Sequence, residues 1–401
     1  MNNSVGMRFV GCAALAALFV LLPRFTHAGS DIRLGLVGDS LTDEYTETDF
    51  PYALNWVQQA VMFRAVDCGP TAAQASQPGG TWGEPRRTQY EYNWARYGAT
   101  SSTMLADGQH TGVASQIVPK DLTHVLIAIG ANDFSPALGI AYFAIYWNLW
   151  SNAQKQTFIN NIASRIETAL DAVLAHETNV ILANVPDYGV TPAVRAVFPN
   201  AIRRQNVTNV VNQLNTMIED IAAEREIVLI NIASLTTAIF GTNFKLNEIL
   251  TLGNVPIYLW QSDTNTNTNP QAAFVHDSAH PHTTLQGLFA NVILEAMNIT
   301  AAQPITPFAE LELLAHAGLR YGGADTLASQ LGAFADYVLD FSPQQHTPGD
   351  LNQDGAIDVQ DLLILLGAWG PCTDVNNCPA DINLDGNVDV QDLLVLLGNW
   401  G

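Results

Sequence analysis

Basic residues are scarce in this sequence, which has 16 Lys and Arg against 38 Asp and Glu and a formal charge of −22. Nucleic-acid backbones and anionic membrane surfaces are bound by positive patches, so this deficit argues against both as partners. Charged residues make up only 13% of the chain and apolar residues 48%, which is typical of a protein with a large core and not of a disordered one. A length of 401 residues favours two or three domains.

Long apolar runs are also lacking. The run from Phe9 to Leu22 is 14 residues long, too short to span a bilayer comfortably. It follows Arg8 and precedes Thr26-His27-Ala28, which ends in small residues at the positions that a signal peptidase recognises. We therefore predict that residues 1–28 form a cleaved signal peptide and that the protein is secreted, with an uncleaved anchor as the alternative. No other stretch of the sequence is apolar enough for a membrane helix.

Cysteine is rare, and one of the four cysteines, Cys12, lies in the predicted signal peptide. Cys372 and Cys378 enclose five residues that are rich in turn formers, and export would permit a bridge between them. We predict a disulfide at this pair. Cys68 then remains unpaired, and we expect it to be a buried apolar residue.

Between residues 30 and 300, nearly continuous apolar runs alternate with segments of helical periodicity. Such runs are typical of parallel strands that are covered on both faces, so we predict a three-layer α/β/α sandwich with a mostly parallel five-stranded sheet. Ligands of such sheets bind beyond the carboxyl ends of the strands. The predicted helices cover about 51–66, 153–176, 199–225 and 285–298. The predicted strands are Ile32–Val37, His124–Ile129, Asn179–Asn184, Glu226–Ile230 and, more weakly, Tyr92–Arg96.

The last 52 residues contain nine Asp but no Glu, Lys or Arg, and they hold a repeat in which residues 350–370 and 381–401 are identical at 15 of 21 positions. Each copy places oxygen-bearing residues at the spacing of a 12-residue calcium loop, with glycine at the sixth position. Four carboxylates per loop would repel one another without a cation, so we predict two structural calcium ions. The predicted ligands are Asp350, Asn352, Asp354, the carbonyl of Ala356, Asp358 and Asp361, and Asp381, Asn383, Asp385, the carbonyl of Asn387, Asp389 and Asp392.

An apolar helix follows each loop, no amphipathic helix precedes it, and its twelfth residue is Asp where an ordinary EF-hand has Glu. This duplicated unit resembles a type I dockerin domain. The resemblance implies a small all-α domain that either anchors the chain to a cohesin-bearing partner or serves only as a calcium-dependent fold. Val359-Gln360 and Val390-Gln391 stand where familiar dockerins carry partner-recognition residues, often hydroxylated, so both alternatives stay open.

A serine follows the first predicted strand in the segment Gly38-Asp39-Ser40-Leu41. This is where a nucleophile would be presented, although a serine after a strand is more often a helix cap. No Gly-x-Ser-x-Gly elbow occurs in the chain, which argues against an ordinary α/β-hydrolase. Three further motifs follow in order: Asn93–Thr100, Gly130-Ala131-Asn132-Asp133 and Asp277-Ser278-Ala279-His280-Pro281. Together the four motifs resemble those of the SGNH/GDSL hydrolase family over about residues 30–300.

The residues themselves suggest a catalytic triad of Ser40, His280 and Asp277, because the i, i+3 spacing lets Asp277 orient the imidazole while its other nitrogen faces the serine. The resemblance implies an oxyanion hole made by the backbone N–H groups of Ser40 and Gly98 and by the side-chain amide of Asn132. Alternatively, Asn132 is a capping residue and Gly98 a turn glycine. We expect Asp39 and Asp133 to hold loops through backbone hydrogen bonds. A zinc site at His276, His280 and His282 is disfavoured because no Glu or Cys lies at ligand spacing.

The sequence thus predicts a secreted serine ester hydrolase that needs no catalytic cofactor. Acylated polysaccharide is the expected substrate and acetyl the expected acyl group. The alternatives are a lipase or phospholipase that acts on longer acyl chains, and a non-catalytic binding or scaffold protein with a degenerate hydrolase fold. The predicted domains are a signal peptide (1–28), a catalytic domain (29–303), its helical extension (304–341), a linker (342–349) and a dockerin-like domain (350–401).

Overall fold

The computed structural model describes residues 32–342, 349–352, 356–372, 378–383 and 385–400. The predicted signal peptide, most of the predicted linker and the proposed ligand Asp354 lie outside the described residues. None of the helices in these ranges combines the length and the apolar character that a membrane span requires.

The main sheet has five strands whose order across the sheet is their order along the chain, and the first four of them are parallel. The prediction of a mostly parallel five-stranded sheet is therefore confirmed. The strands are β1 (Leu34–Gly38), β2 (His124–Ala128), β3 (Asn179–Ala183), β4 (Val228–Ile230) and β8 (Val338–Asp340). A three-stranded sheet lies apart from it and consists of β5 (Ile249–Leu252), β6 (Val255–Ser262) and β7 (Ala272–Phe274).

Helices cover both faces of the main sheet. Within β1, Leu36 belongs to the core on one face and Val37 to the core on the other, and Leu126 and Ile127 divide in the same way in β2. Because successive side chains of a strand point to opposite faces, each apolar run supplies two cores at once. The predicted three-layer sandwich is confirmed.

The helices of the main domain are α1 (Trp56–Arg64), α2 (Ser101–Ala106), α3 (Gln109–Lys120), α4 (Ala141–Tyr146), α5 (Asn152–Leu174), α6 (Pro192–Val197), α7 (Ala201–Glu224), α8 (Ile232–Phe240), α9 (Thr283–Asn298), α10 (Glu310–His316) and α11 (Leu327–Leu331). Local capping fixes several of their starts. Asn55 and Ser151, for example, accept backbone hydrogen bonds in capping boxes before α1 and α5. Helices α1 and α9 pack together on one face, and α5 packs with α3 and α7 on the other.

The fifth strand is not the segment that the sequence indicates. Residues 92–96 run beside β1, where the Trp94 N–H donates to the Leu36 carbonyl at 2.9 Å, but this segment forms only an isolated bridge. The fifth strand, β8, pairs antiparallel with β4 and lies in the segment 304–341, for which the sequence predicts helix. That segment holds the expected helices as two short ones, α10 and α11, and in addition this edge strand. The strand was not predicted because three residues leave no periodic pattern in the sequence.

The C-terminal residues form a small unit with helices α12 (Val359–Gly367) and α13 (Val390–Gly398). Ile357, Leu365, Val388 and Leu396 are buried in one core that both repeats supply. The unit is not purely helical, because β9 (Gly370–Pro371) and β10 (Asn387–Val388) pair antiparallel between the two halves. Cys372 and Cys378 form the expected disulfide, and Cys68 is free and buried in the main domain.

Candidate active site

Ser40 lies two residues beyond the end of β1, in a tight turn. The carbonyl of Asp39 accepts hydrogen bonds from the N–H groups of Thr42 (3.0 Å) and Asp43 (2.9 Å) and closes this turn. A Cβ at Gly38 would lie 2.9 Å from the carbonyl oxygen of Ala128 on β2, so only glycine fits where the strand leads into the turn. No helix begins at Ser40, so its hydroxyl is not a helix cap.

The Oγ of Ser40 lies 2.7 Å from Nε2 of His280, across 240 residues of sequence. The other imidazole nitrogen, Nδ1, lies 2.5 Å from Oδ2 of Asp277. An ionised carboxylate only accepts hydrogen bonds, so Nδ1 carries the proton and Nε2 presents its lone pair to the serine. The structure thus brings together the three residues that the sequence suggests as a triad.

Asp277 is fixed by its own loop before it meets the imidazole. Its Oδ1 accepts hydrogen bonds from the backbone N–H groups of Ala279 (2.9 Å) and His280 (3.0 Å). Burial disfavours the charged carboxylate, but the hydrogen bonds and charge of His280 outweigh it, so the pKa of Asp277 lies below its ordinary value. Asp277 is therefore ionised at neutral pH and able to stabilise a protonated imidazole.

The histidine loop is also tied to neighbouring elements. The hydroxyl of Tyr45 donates to the Pro281 carbonyl (2.8 Å) and accepts from the side chain of Gln286 on α9 (2.8 Å). His282 caps α9 and lies 3.2 Å from the buried carboxylate of Asp263. These contacts hold the loop on both sides of His280.

The predicted oxyanion donors lie on two adjoining loops. Gly98 has φ +75°, a left-handed conformation that glycine adopts without strain. The side chain of Asn132 donates to the carbonyl of Ala99 at 3.1 Å, and its second amide hydrogen can serve a ligand. Asn132 lines the same pocket as Ser40 and His280, whereas Gly98 is not among the residues that line it.

Two aromatic rings that were not predicted from the sequence pack on the imidazole of His280. Tyr97 stacks on His280 with ring centroids 5.3 Å apart, and Phe50 lies at 5.0 Å. Tyr97 immediately precedes Gly98, so its position in the motif Asn93–Thr100 was the available signal. The rings limit the orientations open to His280.

Buried acids surround the turn that holds Ser40. Burial raises the pKa of Asp39 to about 6, although its Oδ1 accepts the Leu41 N–H at 3.0 Å. Burial, helped by the charge of Asp43, raises the pKa of Glu44 to about 8. Asp133 accepts hydrogen bonds from the N–H and the hydroxyl of Ser101, both at 2.8 Å. Asp39 and Asp133 thus have the loop-holding contacts that the sequence analysis expects.

The pocket at Ser40 is small and mainly apolar. It has a volume of about 60 Å³, and its apolar walls include Leu41, Pro186, Val190, Phe240, Phe274 and Phe289. A second apolar cavity of about 50 Å³ lies beside it and shares the walls Asp39, Leu41, Ala131, Pro186 and Phe289. A cavity volume of about 10–15 Å³ is enough for one water molecule, so each of these two cavities holds only a few heavy atoms.

The histidines do not form a metal cluster. His276 lies against the Tyr52 hydroxyl (2.9 Å), His280 belongs to the Ser40 and Asp277 contacts, and His282 faces Asp263. Each imidazole is thus directed to a different partner.

The two C-terminal loops share one hydrogen-bond pattern. Asp361 accepts the N–H groups of Leu351, Asn352 and Asp358 at 2.7, 3.0 and 2.9 Å. Asp392 repeats this arrangement with Ile382, Asn383 and Asp389 at 2.8, 3.1 and 2.8 Å. Each aspartate thereby joins the end of its loop to the beginning of the same loop. The loops present carboxylate, amide and carbonyl oxygens, the ligands that calcium prefers, so their chemistry fits this ion.

Residues 34–293 match the family model of the GDSL-like lipases and acylhydrolases. The chain belongs to this family. Residues 348–398 match the type I dockerin domain, a calcium-binding module. The chain is therefore a GDSL hydrolase that carries a C-terminal dockerin domain. No curated protein matches it.

Solved structures resemble this GDSL hydrolase at low identity. An acetyl xylan esterase from Geobacillus stearothermophilus is 15% identical, with a TM-score of 0.37 over 69% of this chain and 98% of that chain. A phospholipase A1 from Streptomyces albidoflavus is 16% identical, with a TM-score of 0.32 over 63% and 93%. An α/β hydrolase from the metagenome of Lake Arreo, Spain, is 15% identical, with a TM-score of 0.30 over 67% and 95%.

Proposed function

We propose that this protein is a secreted serine esterase that removes short acyl groups, foremost acetyl, from polysaccharides. The observation that carries the proposal is the hydrogen-bonded series of Ser40, His280 and Asp277. Residues 1–28 would direct export, and the dockerin domain would attach the enzyme to a cohesin-bearing partner.

In the proposed reaction the Oγ of Ser40 attacks the ester carbonyl while Nε2 of His280 takes the hydroxyl proton. Asp277 stabilises the imidazolium that forms. The N–H groups of Ser40 and Gly98 and the amide of Asn132 donate to the oxyanion, and each such donor typically contributes about 10²–10³ in rate. His280 then gives its proton to the leaving alcohol. A water molecule, deprotonated by His280, attacks the acyl-enzyme, which releases the acid and restores Ser40.

The preference for a short acyl group follows from the volume beside Ser40. A space of about 60 Å³ with apolar walls accepts an acetyl or slightly larger group, whereas a fatty acyl chain would need the wall to move. The second cavity beyond Phe289 supports the other candidate, an esterase for longer chains, because an acyl chain that displaced this ring would gain a further apolar space.

The polysaccharide substrate is inferred from the domain combination. A dockerin domain would attach the enzyme to a larger assembly. An enzyme attached in this way can act on a polymer outside the cell. The strong negative charge disfavours an anionic lipid surface.

For the dockerin domain we propose one calcium ion in each of the two loops. The ligands would be the twelve residues named from the sequence, of which Asp354 lies outside the described range. Calcium would order the loops and would have no role in ester hydrolysis, because the catalytic residues all belong to the main domain.

The test is hydrolysis of p-nitrophenyl esters from acetyl to palmitoyl by residues 29–401, with Ser40→Ala as the matched control. We expect activity that falls steeply beyond acetyl or butyryl and that is lost in the variant. A preference for long chains would favour a lipase. An absence of serine-dependent turnover with every ester would instead favour a non-catalytic binding protein.

A further inference from the structure

A pocket of about 190 Å³ with a mixed lining adjoins the pocket that holds Ser40 and His280, and it is called the polar pocket here because of its many polar side chains. The two pockets share Asp187 and Val190 as a common wall. The pocket at Ser40, called the acyl pocket below, has mainly apolar walls. The polar pocket is lined in addition by guanidinium, amide and hydroxyl groups, which include those of Arg195, Gln205, Thr208, Asn212, Thr242 and Asn243. Its size and its polar groups suit a ligand with many hydroxyls.

Arg195 is the donor that stands out in this pocket. Its guanidinium lies over the ring of Trp260, 4.6 Å from the centroid, and its Nε is buried without a hydrogen-bond partner. In the part of the chain that the structure describes, no carboxylate oxygen lies within ion-pairing distance of this guanidinium. The buried Nε is closed to a ligand. The terminal nitrogens of the guanidinium are accessible and make no hydrogen bond to the described residues, so they are the donors that a ligand oxygen in the pocket would meet.

The facing wall is held in a fixed geometry. Asn243 accepts a hydrogen bond from Nε of the buried Arg204 at 3.1 Å, and it donates to the hydroxyl of Thr208 at 2.8 Å. That hydroxyl in turn donates to the carboxylate of Asp187, which also accepts the Gly189 N–H at 2.7 Å. A network of this kind orients donors and acceptors before a ligand arrives.

The charges of the pocket favour a neutral ligand. Among the residues that line the pocket, Arg195 contributes one positive charge and Asp187 one negative charge, inside a protein with a net charge of −22. The buried Arg204 lies behind this lining, where its guanidinium donates to Asn243 and to the Phe198 carbonyl. An anionic ligand would approach against the net charge and would meet the Asp187 carboxylate. Neutral hydroxyls, by contrast, can accept from the guanidinium and donate to the carboxylate.

The segment between the two pockets connects them to the catalytic loop. Val190 and Thr191 line the acyl pocket, and Arg195 lies one helical turn further along in α6. The Ala193 N–H donates to the carbonyl of Ser278 at 3.0 Å, and Ser278 lies between Asp277 and His280. A ligand bound against Arg195 is therefore separated from the pocket of Ser40 and His280 by the shared wall of Asp187 and Val190.

We propose that this polar pocket is a subsite for a neutral sugar unit of the acylated glycan, with Arg195 as its main hydrogen-bond donor. The inference rests on the proposed esterase function, which it deepens by naming the part of the substrate that the second pocket binds. Arg195 contacts the sugar and takes no part in proton transfer.

The test compares kcat/KM for acetylated xylo-oligosaccharides with kcat/KM for p-nitrophenyl acetate, an ester without a sugar. We expect Arg195→Leu to lower the ratio of the two by about 10- to 100-fold, the usual effect of losing a hydrogen bond from a charged donor. Asn212→Leu, on the exposed side of the same pocket, should also lower the ratio of kcat/KM for the oligosaccharides to kcat/KM for p-nitrophenyl acetate. Arg225→Gln is the matched control, because this arginine lies outside both pockets and pairs with Glu167 and Asp171.

An unchanged ratio in both pocket variants, with serine-dependent hydrolysis of p-nitrophenyl acetate intact, would overturn the subsite and leave the esterase proposal standing. A ratio that falls only with acetylated pectin, whose sugars carry carboxylates, would overturn the assignment to a neutral sugar. If the unsubstituted protein hydrolyses none of these esters faster than Ser40→Ala does, the esterase proposal is overturned and the subsite with it.

Discussion

The carboxylate of Asp43 accepts a hydrogen bond of 2.7 Å from the backbone N–H of Tyr97. Asp43 follows Ser40 by three residues, and Tyr97 directly precedes Gly98. The same carboxylate pairs with Arg87 at 2.5 Å and lies 3.8 Å from Arg96. The nucleophile turn and the loop of the proposed oxyanion donor are thus joined through one buried side chain.

We predict that Asp43→Ala lowers kcat with little change in KM. Without the carboxylate the Tyr97–Gly98 segment can shift, and a displaced oxyanion donor is expected to cost about 10- to 100-fold in rate, somewhat less than its removal. Steady-state kinetics with p-nitrophenyl acetate measure the effect. Asp43→Asn keeps an acceptor for the Tyr97 N–H and should retain more activity. Equal losses in both variants would show that the ion pairs, and not this hydrogen bond, matter.

A second prediction concerns Asp277. Asp277→Asn should lower kcat by up to about 10⁴-fold, because an amide that donates to the imidazole would favour the wrong tautomer of His280. The N–H groups of Ala279 and His280 can still bind the side-chain oxygen, so the melting temperature should change little. Kinetics together with thermal unfolding separate the two effects. A variant with nearly full activity would exclude Asp277 from the triad.

Glu44 leads to a prediction about the pH dependence of stability. Its pKa is raised from 4.5 to about 8, first by burial and then by the charge of Asp43. The folded state therefore keeps a proton that the unfolded state loses, and this carboxyl makes the protein less stable as pH rises from about 4.5 to 8. The loss is on the order of a few kcal/mol.

Glu44→Gln should remove this loss, because a neutral amide does not titrate. The measurement is the melting temperature at pH 5 and at pH 8. Its fall from pH 5 to pH 8 should be smaller in Glu44→Gln than in the unsubstituted protein. Glu219→Gln, at an exposed position of α7, is the control and should behave like the unsubstituted protein. An identical fall in all three proteins would contradict the assignment to Glu44.

The candidate site residues can be found from the sequence because each one lies in a short motif at the end of a strand. Ser40 follows β1, Asn132 follows β2, and His280 lies between β7 and the start of α9. Because β1 and β2 are parallel neighbours, their carboxyl ends bring Ser40 and Asn132 to one edge of the main sheet. His280 follows a strand of the other sheet, so its place beside Ser40 is a contact that strand order alone does not predict.

Features that depend on contacts between distant segments could not be predicted in this way. Strand β8 is three residues long and is defined only by its pairing with β4. The polar pocket draws Arg195 from α6, Gln205 from α7 and Asn243 from a loop after α8, and none of these residues lies in a recognisable motif. The aromatic contact of Phe50 with His280 likewise joins residues that are far apart in sequence.

Removal of calcium by chelation should affect the dockerin domain and leave ester hydrolysis by the main domain unchanged. We predict that EDTA abolishes the calorimetric transition of the dockerin domain, since the carboxylates of each loop then repel one another, while hydrolysis of p-nitrophenyl acetate persists. Titration of the chelated protein should show two calcium ions per chain. The double variant Asp361→Ala/Asp392→Ala should resemble the chelated protein even with calcium present. A transition that is indifferent to EDTA would contradict a structural role for the ion.

Phe289 is expected to set the acyl-chain length, because its ring forms a wall of both apolar cavities. Phe289→Ala should join the spaces of about 60 and 50 Å³, and each added methylene that becomes buried should raise relative kcat/KM by about fourfold. The measurement is kcat/KM for acetyl, butyryl and hexanoyl p-nitrophenyl esters. The substitution should also cost about 3–5 kcal/mol in stability. Phe274→Ala, which enlarges only the pocket at Ser40, is the control, and an equal shift towards hexanoyl in that variant would contradict the role of Phe289.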